Sequence, residues 1–346
     1  MPSRPFLPFL PDRINSGTWV AGYSLAALKE RVGRDRIVLP ICSLGTPAEE
    51  LTRLAPLVLP PLYHEALDAD LKAALVTQIR RCFPFYEGTR ERANFRGIFD
   101  VVELPARPPA PVTLPARILA FGVDTTVEQH GPHLPLGTDT IQTYAVLRQL
   151  AAETHGLVLG PPLDYGHLTW GLPFGLSIDI TPALTARYMT GFVNALVAWF
   201  SPAAMYIADV HGSLVHRNAI QEGLRRSRCA RWAFRWLHEP LAEFGGDRGD
   251  MHAGGVETLL VAHINSGLVD AHWWPARIEE LAATQMKTTD AVELSCELSR
   301  FAERVESRHL NGIVGDVRNA FRLDASLLMN RMIDVARKDV ASLLSV

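Results

Sequence analysis

"TTVEQHGPHLPLGTDT" occupies residues 125–140 and packs Glu128, His130, His133 and Asp139 into a stretch broken by glycine and proline. Those breakers oppose a helix and supply sharp turns, and proline limits the freedom of the unfolded loop. In an extended segment residues i and i+2 point to the same side, so Glu128 and His130 can approach one cation or two neighbouring ones. Asp139 falls where the loop meets the next helix, a turn at which backbone donors hold a carboxylate and let it bridge two metals. The segment reads as a ligand-bearing loop, and its flanks decide the fold.

Before it, RILAFGVD (117–124) reads as a buried strand. After it, TDTIQTYAVLRQLAAETHG (138–156) has apolar residues at helical spacing and ends in glycine. GLVLGPPL (156–163) predicts another strand. TPALTARYMTGFVNALVAWF (181–200) predicts a helix with Thr181 as N-cap and Pro182 at its first position. AAMYIADVHG (203–212) is a strand running into a loop. This alternation predicts an α/β fold, a mainly parallel sheet flanked by helices. Sites in such folds lie at the carboxyl ends of the strands.

The proline-rich ELPARPPAPVTLPAR (103–117) reads as a linker or surface crossing, which divides the chain into 1–113 and 114–346. The first part echoes the second. LAPLVLPPLYH (54–64) resembles THGLVLGPPLDYGH (154–167), and LDADLKAALVTQIRRCF (67–83) stands where the 181–200 helix stands. One reading is a degenerate partial repeat, catalytically empty because nothing like Glu-x-His-Gly lies between its strands. The other is that common strand and helix patterns look alike.

Lys and Arg number 34 against 37 Asp and Glu, a net charge of −3, which gives no reason to expect nucleic acid or an anionic membrane as partner. Cys42, Cys82, Cys229 and Cys296 are far apart, so neither a disulfide framework nor a zinc-thiolate site is expected. The proline-broken N-terminus does not read as a signal peptide, and no stretch approaches the ~18 apolar residues of a membrane span. A soluble, cytoplasmic protein is the expectation. RRSRCARWAFRWLHE (225–239) reads as a basic helical face, either solvated or a subunit contact.

Glu-x-His alone does not specify a metal site, but two later segments repeat its grammar. The 203–212 strand delivers His211 beside Gly212, and GDMHAGGVETLLVAH (249–263) sets His252 and Glu257 among glycines before an apolar helix. Four motifs in order, "EQHGPHLPLGTDT", "DVHGS", "DMHAGGVET" and "NGIVGDVRNA" (311–320), together resemble the creatininase (creatinine amidohydrolase) family from about residue 115 onward. The resemblance implies a creatininase-like three-layer fold, a homo-oligomer and two divalent metal ions per chain, Zn, Mn or Fe. By motif position it implies Glu128, His130, Asp139 and His211 as ligands, with Asp139 the bridge. In creatininase proper a Glu two residues after the His supplies another ligand. Ser213 stands there, so Glu257 becomes the fifth ligand and Ser213 lines the substrate. His252 matches the family's acid/base histidine, with Glu257 beside it. Trp170 and Trp273 are candidate covers for a planar substrate, or plain packing residues. His133 reads as a loop-packing residue behind the ligands, and Asp209 as orienting His211.

Two such ions about 3.5–4 Å apart hold a bridging hydroxide that is nucleophilic near neutral pH. The implied function is metal-dependent hydrolysis of a non-standard amide: a cyclic amide, a formamide or a short-peptide bond. Two alternatives stay open. One is a degenerate binding or scaffold member, suggested by Ser213, Gly255 and Leu259 in place of the family's usual residues. The other is a peptide-maturation peptidase on the same scaffold.

Overall fold

The computed structural model describes residues 18–24, 27, 28, 31, 35–82, 99–107, 118–175, 177–295 and 297–345. Most of the segment before the first strand and the proline-rich residues 108–117 lie outside them. Among the described residues eight strands form two sheets: β1 (Ile37–Cys42), β2 (Leu57–Val58), β3 (Leu62–Tyr63) and β4 (Phe99–Glu103), then β5 (Ile118–Gly122), β6 (Leu157–Leu159), β7 (Ala204–Asp209) and β8 (Trp232–Trp236). Every ladder between these strands is parallel. The second sheet has the order β6-β5-β7-β8, so β5 and β7 lie at its centre, paired from Ile118↔Ala204 to Gly122↔Ala208. Both are buried at every position, which is why they read as unbroken apolar runs rather than alternating ones.

The principal helices are α1 (Ala69–Cys82), α2 (Thr138–Glu153), α3 (Pro182–Phe200), α4 (Leu214–Arg226), α5 (Gly255–Ile264), α6 (Leu298–Arg308) and α7 (Ala325–Leu344). Alternate residues of β5 and β7 face opposite layers. Leu119, Phe121, Met205 and Ile207 pack with Phe192 of α3 and Ile220 of α4. Ile118, Ala120, Tyr206 and Ala208 pack with Leu147 of α2, Leu260 of α5 and Met332 of α7. This is the expected three-layer α/β arrangement. The α3 helix begins as its sequence predicts, with the Thr181 hydroxyl accepting from the Leu184 amide and Pro182 following.

One expectation is corrected. Residues 225–239 are not one basic helix: α4 ends at Arg226, and Trp232–Trp236 is the edge strand β8 paired with β7. Aromatic residues at 232, 234 and 236 favour a pleated surface, and pairing with β7 outweighs the helical spacing of the arginines.

The first sheet repeats the registers of the second. Ile37 starts the ladders to Leu57 and Phe99, as Ile118 starts those to Leu157 and Ala204. The helix α1 precedes β4 as α3 precedes β7. The two halves share one core: the Phe192 ring lies 5.5 Å from Phe121 and 5.7 Å from Tyr63. Their contacts are reciprocal. A side chain at Gly191 of α3 would meet the Ala66 carbonyl at 2.1 Å, while Cys82 at the end of α1 bonds both backbone groups of Asp179. The N-terminal part also reaches the signature loop, where the amides of Leu136 and Gly137 donate to Tyr23 O (2.9 Å) and Ala21 O (2.8 Å).

Candidate metal centre

The signature loop leaves the end of β5 and is held extended from both sides. Ile178 N donates to Val127 O (2.8 Å), Gln129 N to Ser177 Oγ (3.0 Å) and Glu128 N to Leu136 O (3.2 Å). Asp124, just past β5, ties the two central strand ends together. Its Oδ1 accepts from Val210 N (2.6 Å) and from the Thr143 hydroxyl (3.1 Å). Asp139 lies in the first turn of α2, where a carboxylate suits the helix dipole. Glu257 lies in the first turn of α5, which Asp250 starts by accepting from Val256 N (2.8 Å). Ala253, at φ 54°, turns the chain so that its amide donates to Glu257 Oε2 (2.5 Å). The backbone of His252 pairs with Val314 in both directions (3.1 and 2.8 Å), so the 311–320 motif is a strap behind that histidine. Glycine is required at 312, where φ is +87° and a Cβ would lie 1.8 Å from the Gln129 side chain.

These elements bring all six sequence-predicted ligands and acid/base residues together. Glu128, Asp139 and His211 form one set, and His130, His252 and Glu257 another; within each set the donor atoms lie within 4.8 Å of one another. Asp139 spans the two. Its Oδ1 is 3.1 Å from His130 Nε2, and its Oδ2 is 3.6 Å from His211 Nδ1. Glu128 Oε2 is 2.9 Å from His211 Nδ1, and Glu257 Oε2 is 3.9 Å from His130 Nε2. His252 Nδ1 stands 3.6 Å from Glu128 Oε1, where the sets meet.

Each histidine turns one nitrogen to a backbone carbonyl: His130 Nδ1 to Glu128 O (3.0 Å), His211 Nε2 to His167 O (3.0 Å) and His252 Nε2 to Gln129 O. A carbonyl only accepts, so those nitrogens carry protons and the opposite nitrogens face the carboxylates. Glu128 Oε1 and Asp139 Oδ2 are buried with no hydrogen-bond partner among the described residues. Three buried carboxylates facing imidazole lone pairs need positive charge between them. The donor set and the unpartnered oxygens fit divalent cations. Without them, protons fill the role. Burial opposes charge on His130, but Asp139 beside it outweighs burial and raises the ring to about 10. His211 is likewise raised well above the ordinary histidine value against its burial, chiefly by Glu128. Burial pushes the Glu257 carboxyl up to about 8, partly opposed by His130. Burial lowers His252 to about 4, helped by His130.

The substrate candidates fare differently. The Ser213 hydroxyl caps α4, accepting from His216 N at 3.5 Å. Trp273 packs on the main core with Arg277 4.7 Å from its ring, and none of its described contacts is with the six-residue cluster. Trp170 lies in the 3-10 helix Thr169–Phe174, and its side chain is outside the described residues. That 3-10 helix passes over the cluster: a Cβ on Gly171 would stand 3.8 Å from Glu128 Oε1. His133 packs behind the ligands, with Nε2 2.8 Å from the Thr258 hydroxyl. Asp209 accepts from Gly212 N (3.2 Å) and so shapes the turn that carries His211. Gly255, read from the sequence as a departure from the family pattern, has no room for a side chain, because a Cβ would meet Ala320 N at 2.5 Å.

Sequence reasoning missed Asp124, Asp164 and His216, all fully buried around the cluster. A charged residue closing an otherwise apolar strand was the available signal for Asp124. Nothing local marked His216, which sits on an ordinary amphipathic helix.

The sequence model of the creatinine amidohydrolase family matches residues 118–340. A mycofactocin precursor peptide peptidase of Mycobacterium ulcerans (strain Agy99) is 30% identical over 169 residues, covering 46% of this chain and 62% of that protein. One from Mycobacterium tuberculosis (strain CDC 1551 / Oshkosh) is 28% identical over 177 residues, covering 48% of this chain and 65% of that protein. The match thus spans under two thirds of the length of these curated relatives. Among solved structures, a creatininase variant complexed with creatine has a TM-score of 0.48 and 13% identity, covering 67% of this chain and 93% of that one. A manganese creatininase has a TM-score of 0.44 and 14% identity, covering 65% and 89%. With the family's model matched over most of its length, this chain belongs to the creatininase family.

Proposed function

We propose that this chain is a two-metal hydrolase that cleaves an amide C–N bond in a short peptide. One observation carries the metal reading: Asp139 presents one carboxylate oxygen to each of two buried donor sets. Glu128, Asp139 and His211 would hold one ion, and His130, Asp139 and Glu257 the other. Bound there, the pair supplies Lewis acidity and an activated water. The protein's own groups do the rest. Backbone carbonyls lock the three imidazoles in the tautomers that face the cluster. Burial of the cluster excludes bulk water. His252 holds its Nδ1 toward the junction of the sets, where it can pass a proton to the departing nitrogen, and Glu257 is the companion carboxyl.

Several substrates fit this chemistry. The peptide is favoured because the matched curated relatives are precursor-peptide peptidases. The degenerate-scaffold reading is disfavoured by six convergent donor residues and by Gly255, whose small size has a packing cause. For residues 1–113 the shared strand registers support a partial repeat, catalytically empty, that buttresses the catalytic sheet and the signature loop.

Elemental analysis of the purified chain tests the metal reading, with Glu128→Ala and Asp139→Ala variants alongside. About two divalent ions per chain are expected in the parent and a deficit in each variant. Full occupancy in both variants refutes the assignment. Assays with short peptides, cyclic amides and formamides test the substrate. Turnover of either small-amide class with none of the peptides refutes the peptide reading.

A further inference from the structure

His211 is held by a chain of groups outside both donor sets. Its Nε2–H donates to His167 O (3.0 Å). The amide of that same residue, His167 N–H, donates to His216 Nδ1 (3.2 Å). His216 Nε2–H in turn donates to Val123 O (2.7 Å), one residue past β5. His216 is 0% exposed and its Nδ1 edge lies against the 166–167 backbone. A Cβ on Gly166 would lie 2.2 Å from its Cε1 and 2.4 Å from its Nδ1, so the ring reaches that backbone only because residue 166 is glycine. Asp179 completes the clamp: its Oδ1 accepts from Leu168 N (2.9 Å) and lies 3.0 Å from His167 Nδ1.

We propose that His216 is a positioning residue for His211, acting through the intervening peptide of His167 and through the edge-to-face contact of the two rings, whose centroids are 5.2 Å apart. It does not face the donor oxygens. It fixes the carbonyl that sets which nitrogen of His211 points at Glu128 and Asp139. The relay is anchored on β5 through Val123 and on α4 through His216 itself, so it references His211 to the same strand that launches Glu128. His130 has its own carbonyl, Glu128 O, and shares none of these contacts. The relay therefore governs one donor set and leaves the other alone.

This inference rests on the two-metal reading, and its test separates the two. Zinc is titrated into the metal-free full-length chain against a competing chelator, and two binding steps are fitted. His216→Ala should weaken one step by about 10- to 100-fold, the usual effect of losing a group that orients a metal-ligating histidine, and leave the other unchanged. Gly166→Ala should do the same with His216 still present, by pushing the ring off the backbone. His216→Asn, whose side-chain oxygen can accept from a backbone amide, should recover part of the loss. Equal weakening of both steps, or none, overturns the proposal. If the parent chain binds no zinc, the function reading fails instead. The relay is then judged in the metal-free protein by hydrogen exchange at the His167 amide, which His216→Ala should speed. An unchanged exchange rate there overturns it.

Discussion

Filling the site should expel protons, and the charges packed around each ligand give the number to expect. In the metal-free protein at pH 7, His130 is held charged by Asp139, with its ring raised to about 10. His211 is held charged by Glu128. Burial keeps Glu257 protonated, at about 8. Glu128 is lowered by His211 despite its burial and is already ionised. His252, lowered to about 4 by burial, is already neutral. A divalent ion takes only deprotonated ligands. Loading both sets at pH 7 should therefore release about three protons per chain from the ligands, one each from His130, His211 and Glu257, beside the one that a water ionised between the ions gives up. At pH 9 Glu257 has already lost its proton, so the release from the ligands should fall to about two. Glu257→Gln, which has no proton to give, should show about two from the ligands at pH 7 and no further fall toward pH 9 when enough metal is supplied to fill both sets. Calorimetric titration with Mn²⁺ or Zn²⁺ in two buffers of different ionisation enthalpy measures the count. A release near zero at pH 7 would mean that ions bind without displacing the imidazole protons, and would refute the proposed ligand set.

Two further outcomes test the frame around the site. Phe192→Ala removes the ring wedged between Phe121 and Tyr63, and should cost about 3–5 kcal/mol in urea unfolding while keeping a single transition. An early, separate transition of the N-terminal half in the parent chain would refute the shared core. Burial lifts Asp164 to about 8, opposed by the Thr126 hydroxyl. A raised carboxylate stabilises the fold below its unfolded value near 4, and that contribution is lost as pH climbs toward 8. Asp164→Asn should therefore gain stability relative to the parent across that window, by up to about 1.4 kcal/mol per pH unit; a difference independent of pH would refute the assignment.

Much of the second sheet was legible because its signals are local. The runs at 118–122 and 204–209 are apolar because both faces of a central parallel strand are covered, and Thr181-Pro182 writes a helix start into two residues. The edge strand β8 was not legible. Its arginines have helical spacing, and only pairing with β7 decides for the strand. The candidate ligands were picked out through motifs, but their partners were not. Asp124, Asp164 and His216 act through burial and through contacts 38 to 93 residues away in the chain.

By itself the sequence determined the family, the alternation of strand and helix, and six candidate side chains for the site, because spacing, turn residues and apolar periodicity are properties of neighbours along the chain. Only the tertiary structure decided that Asp139 faces both donor sets, that backbone carbonyls choose the histidine tautomers, and that the described residues of the N-terminal half pack into one core with the second sheet. Those depend on which distant groups meet once water is excluded, and no short stretch encodes that meeting.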